Sequence, residues 1–195
     1  MRIIGCDKEQ LKRIQEVNLY PERCIGSLDD EYVNCFVKCL ERDRATDYQL
    51  ASKPDRNNRN TPQPDYLYCE TSNNNLIAIE YTRIFESEEE QKRLSYIVDQ
   101  YDKRGIIPWQ WIKNPIPEEL GERLNQVLLK KLSKEQLNSI TNAEKILLCR
   151  NQWTGAEPAH FINAKPFIKY KCLRKYCDHI YVIINARYFA ILEIF

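Results

Sequence analysis

Two acids, Asp65 and Glu80, stand near the ends of one segment, PDYLYCETSNNNLIAIEYTRIF, from Pro64 to Phe85. Tyr66 to Glu70 is rich in aromatic residues, Leu76 to Ile79 is an unbroken apolar run, and Thr71 to Asn75 between them is turn chemistry, which together predict a β-hairpin. With Thr71 to Asn74 as the loop, Glu70 pairs with Asn75 and Asp65 falls opposite Glu80. Alternation along the strands then sets Asp65, Leu67 and Cys69 on the face that carries Leu76, Ala78, Glu80 and Thr82. A loop one residue shorter or longer turns Glu80 to the other face.

Two carboxylates facing each other across a hairpin repel, and the apolar run beside Glu80 implies burial on both sides. Taking such a charge out of water costs on the order of several kcal/mol unless something compensates it. A metal ion, a basic side chain or a shared proton satisfies that demand. Hard oxygen donors with room for water suit Mg²⁺ or Mn²⁺ better than zinc, which prefers nitrogen and sulfur.

At these residues the chain resembles the PD-(D/E)XK nuclease superfamily, the restriction-endonuclease-like fold. Pro64-Asp65 matches the first half of the motif, and the apolar strand ending Ile79-Glu80-Tyr81-Thr82 matches the second. The resemblance implies an α/β domain with an αβββαβ core, a mixed sheet flanked by helices, and extra helices around it. It also implies that Asp65 and Glu80 bind Mg²⁺ or Mn²⁺ for hydrolysis of DNA or RNA phosphodiesters. Thr82 stands where the family has its lysine; Lys92 and Lys53 are the candidates to replace it, with Thr82 left to bond a water or a phosphate oxygen. The family often takes a further acid from the helix before the hairpin, a role for which Glu31 is preferred over Glu41. The alternative is a nuclease fold without catalysis, binding nucleic acid or a protein partner.

The elements that position these residues are read from periodicity and caps. Asp7 with Gln10 opens a helix over 7–18, and a second helix runs from about Ser27 to Arg44, with Val33, Phe36, Val37 and Leu40 on one side. Residues 1–26 read as a helical extension and 27–195 as the core of a single domain. Thr46 to Gln63 is polar, with a basic run at Arg56 to Asn60; a short strand near Tyr48 to Ala51 is what the resembled fold requires there. Ser87 with Glu90 caps a helix ended by Gly105, and Trp109 and Trp111 follow in a proline-rich loop, suited to base stacking or to the core. Pro117 opens a helix through about Leu132, with Leu120, Leu124, Val127 and Leu128 inward, and Ser133 with Gln136 caps a short continuation. Lys145 to Arg150, Ile180 to Ile184 and Tyr188 to Ile194 read as strands.

The net charge of +1 provides no general attraction to nucleic acid, so a binding surface has to be local. The densest basic stretch is Lys165 to Lys175, where Lys169, Lys171, Arg174 and Lys175 are the candidate phosphate contacts, interleaved with Phe167 and Tyr170. Eight cysteines without a signal-like apolar leader point to reduced thiols and a cytoplasmic protein, and no stretch predicts a membrane span. Cys35 and Cys39 share one helix face, as core residues do. Cys172, Cys177 and His179 are a weaker zinc candidate, with Cys149 or His160 as a fourth ligand. A homodimer or a protein partner is compatible with all of this.

Overall fold

The computed structural model describes residues 1–19, 27–53, 63–85, 115–133, 136–153, 155–185 and 189–195. Its centre is an open, mixed sheet of seven strands: β1 (Arg2–Ile4), β2 (Tyr48–Ser52), β3 (Tyr66–Glu70), β4 (Leu76–Ile84), β5 (Ala143–Asn151), β6 (His179–Asn185) and β7 (Phe189–Glu193). They lie in the order β1-β7-β6-β5-β4-β3-β2. The β4–β5 and β5–β6 pairs are parallel and all others antiparallel. The protein is therefore α/β with helices on both faces of the sheet.

Strict alternation along the central strands divides the core in two. One face carries Ile77, Ile79, Tyr81, Ile146, Leu148 and Tyr181 and is covered by α1 (Lys8–Leu19) and α2 (Leu28–Arg44). The other carries Ala78, Leu147, Cys149, Ile180, Val182 and Ile184. Over it lie α3 (Pro117–Leu132), α4 (Pro158–Ala164) and α5 (Tyr170–Leu173). Within this layer α3 packs closely against the turn after α4 at Gly121, where a β-carbon would collide with Phe167.

The Asp7 cap is the one read from sequence, and α2 has a capping box of its own. Asp7 and Gln10 exchange side-chain-to-backbone hydrogen bonds of 3.1 and 2.8 Å ahead of α1, and Ser27 and Asp30 do the same for α2. The N-terminal stretch is more than a helical extension, because Arg2–Ile4 pairs with β7 as an edge strand. β2 occupies Tyr48–Ser52 on the opposite edge; most of it is exposed and a register shift falls between Leu50 and Ser52, which accounts for its polar composition. α4 occupies a stretch to which periodicity assigns no element and α5 lies within the basic stretch Lys165 to Lys175, since helices of 7 and 4 residues are too short to show a period. The helix expected after Ser87, Lys92 within it, Trp109, Trp111 and the Arg56–Asn60 run lie outside the described residues. Among the described residues no helix is long and apolar enough to cross a membrane.

Candidate active site

The hairpin forms with the register that places the two acids together. Tyr66 pairs with Ile79, Leu67 with Ala78, Tyr68 with Ile77 and Cys69 with Leu76. The loop closes through Glu70 N to Asn75 O at 2.8 Å and Asn74 N to Glu70 O at 3.0 Å. Asn74 takes the left-handed conformation at φ 59°, which asparagine tolerates, and the Asn73 side chain accepts from Asn75 N.

Just before β3 the ladder continues through side chains. Asp65 N donates to Glu80 Oε2 at 3.2 Å, and Tyr81 N donates to Asp65 Oδ2 at 2.8 Å. Each acid thus holds the backbone beside the other, and both are fixed without a rotamer search. Glu80 is 1% exposed, on the face that α3 covers.

The compensating charge comes from that helix. Lys131 Nζ lies 2.5 Å from Glu80 Oε1 and 3.6 Å from Asp65 Oδ2. Glu80 Oε1 is itself buried, so this ion pair is shielded from water. Burial, and then the neighbouring Asp65 carboxylate, outweigh the lysine and push the Glu80 carboxyl up to about 7. Glu80, Lys131, Gln136, Leu137 and Tyr176 line a narrow cleft with no space for a water molecule.

Sequence reasoning missed Lys131, although a signal was present. It follows Leu124 by seven and Leu128 by three, so it sits on the inward stripe of its helix where a charge is unexpected.

The other candidates fall elsewhere. Thr82 shares the Glu80 face, opposite Cys149 of β5, and is half-buried. Glu31 is corrected as a third acid of the pair: it belongs to the helix layer on the opposite face of the sheet and forms an ion pair with Arg13 of α1. Glu41 pairs with Lys38 and accepts from Tyr48 N. Lys53 is likewise no substitute at this site, since it neutralises Asp30 at 3.1 Å and lies over the Tyr66 ring. Two other acids of α2 reach the hairpin: Asp30 accepts from Tyr66 Oη at 2.6 Å, and Asp29 pairs with Arg83 of β4 at 2.7 Å.

Lys169, Lys171, Arg174 and Lys175 are all exposed around α5. The start of that segment is tied to α3, because buried Asn125 donates to Phe167 O and accepts from Lys169 N, both at 2.8 Å. Its end reaches the cleft at Tyr176. Cys172, Cys177 and His179 do not converge as zinc ligands; His179 lies between Glu144 and Glu193 instead.

The cluster thus brings two carboxylates and one ammonium together on one face of the sheet. The fold and site define a mixed-sheet α/β protein with an Asp–Glu–Lys cluster between strand ends and a covering helix. Comparison with protein-family models, with curated proteins and with solved structures found no match.

Proposed function

We propose that the chain is a metal-dependent nuclease of the PD-(D/E)XK type, with Asp65, Glu80 and Lys131 as its hydrolytic site. The observation that carries this reading is the convergence of both acids and one lysine on a single face. Among the described elements the order α2-β2-β3-β4-α3-β5, with β2 to β4 an antiparallel meander and β5 parallel to β4, supports it, being compatible with the αβββαβ order the resemblance implies.

Asp65 and Glu80 would hold Mg²⁺ or Mn²⁺, which when bound supplies charge to polarise the phosphodiester and lowers the pKa of water. Lys131 fills from α3 the place that Thr82 cannot fill from β4. Its flexible stem lets the ammonium leave Glu80 and donate to a phosphate oxygen, where negative charge develops in the transition state. Lys169, Lys171, Arg174 and Lys175 extend a basic surface from the same helix layer along which a phosphate backbone could lie. The test is cleavage of DNA and RNA with Mg²⁺ or Mn²⁺. Cleavage lost in Asp65→Ala, Glu80→Ala and Lys131→Ala sustains the site, and cleavage that persists in all three removes it.

One observation favours the second reading, a nuclease fold that binds without cutting. Lys131 already pairs with both acids, in a cleft beside Glu80 that has no space for a water molecule. Titration with Mn²⁺ separates the two: a hydrolytic site binds the ion and Glu80→Gln weakens it, whereas the self-neutralised site does not respond.

A further inference from the structure

On the other face of the sheet three thiols meet. Cys35 and Cys39 are one helical turn apart on the inward side of α2, and Cys6 comes from the connection between β1 and α1. The three sulfur atoms all lie within 4.8 Å of one another, and among the described residues this is the one group of three or more His, Cys, Asp or Glu ligands that converges so. Four thiolates around zinc at about 2.3 Å would stand roughly 3.8 Å apart, so this triangle needs only slight contraction to hold one ion.

The surroundings fix the triangle in advance. β1 is anchored to β7, the Asp7–Gln10 capping box starts α1, and the Arg42 guanidinium donates to Gly5 O and pairs with Asp7 at 3.4 Å. The backbone on both sides of Cys6 is therefore clamped to α2. Cys35 and Cys39 are buried, whereas Cys6 is half-buried and leaves one side of the cluster toward solvent.

We propose that Cys6, Cys35 and Cys39 bind a single Zn²⁺ ion through three thiolates, with water or an exogenous ligand completing the tetrahedron on the Cys6 side. Binding displaces the thiol protons to solvent, among them the one Cys39 Sγ donates to Gln10 Oε1 at 3.2 Å, and the resulting charge of −1 for three thiolates and one Zn²⁺ faces Arg42. The ion ties the edge strand β1 to α2 and leaves the acid cluster on the opposite face untouched. Its test is thus independent of nuclease activity.

The full chain, reduced and stripped with a chelator, is titrated with Zn²⁺ and with Co²⁺ as a spectroscopic probe. The expected result is one equivalent bound, a thiolate-to-cobalt charge-transfer band that Zn²⁺ abolishes, and a rise in the thermal midpoint that grows with free Zn²⁺. Cys6→Ser, at the half-exposed position where folding is least at risk, and Cys39→Ser both lose the band, while Cys172→Ser keeps it. No stoichiometric binding, binding undiminished in Cys6→Ser, or loading by Cu⁺ alone with none by Zn²⁺ would each overturn the proposal.

Discussion

Asp30 and Glu80 are both buried acids with a lysine at ion-pair distance, yet their carboxyl groups are displaced in opposite directions. For Asp30, burial opposes the charge, but hydrogen bonds from Tyr66 Oη and Ser27 N and the Lys53 ammonium outweigh it, and the carboxyl is held down to about 2. For Glu80, burial is joined by the repulsion of Asp65, and the single lysine does not offset the two, so the carboxyl rises to about 7. Directed donors, rather than the mere presence of a cation, separate the two settings. An acid whose lone pairs are filled by the fold keeps its charge; one buried beside a second acid holds its proton to a higher pH.

The contrast is broken most severely by Lys131→Met, which leaves Glu80 buried without a counter-charge. Removing one partner of such a pair costs roughly 3–5 kcal/mol. Urea unfolding should show that loss near pH 8 and a much smaller one near pH 5, where Glu80 is already protonated in the folded protein. Equal losses at both pH values would mean that Lys131 acts by packing. If the nuclease reading holds, cleavage falls as well, on the order of 10²–10³-fold.

Glu80→Gln sharpens the comparison through pH. Because the folded carboxyl lies near 7 against an ordinary 4.5, the native state binds more protons than the unfolded chain between those values. Stability of the unmodified protein should therefore fall as pH rises through that window, by at most roughly 3 kcal/mol, and level off above it. The variant should lose this slope and be the more stable protein near pH 8. A slope that survives the substitution would assign it to another group.

Tyr66→Phe addresses the opposite case. Asp30 loses its shortest donor, and a hydrogen bond to a charged group is worth about 1.5–3 kcal/mol. Here the sign reverses: a depressed carboxyl stabilises above its ordinary 3.8, and that contribution disappears as pH falls through about 2. The difference between Tyr66→Phe and the unmodified protein, measured by thermal unfolding, should be full at neutral pH and shrink in strong acid.

What the chain discloses in advance follows the same division between local and distant causes. The Asp65–Glu80 register was legible because a run of asparagines limits the loop and a period of two fixes the face. Lys131 was not, because its contact with Glu80 spans 51 positions and depends on how α3 lies across β4. Only its place on a leucine stripe marked it. The choice between Glu31 and Glu41 was one that periodicity could not decide, because both lie about equally far from the centre of the apolar arc, and the structure sends one to Arg13 and the other to Lys38 and Tyr48 N. Cys6 was invisible for a further reason: a strand of 3 residues has too little pattern to announce that it returns its neighbour to α2.

The smallest expected effect, and the strictest test of the comparison, is Lys53→Ala. Lys53 and Lys131 both pair with a buried acid, but the Lys53 side chain is 47% exposed and the Lys131 side chain 19%. Water and salt screen the outer pair, and Tyr66 and Ser27 continue to hold Asp30 after the lysine is gone. The loss should be about 0–1 kcal/mol in low salt and fade as ionic strength rises. A loss as large as that of Lys131→Met would show that Asp30 depends on its cation after all, and that hydrogen-bond donors do not distinguish the two acids.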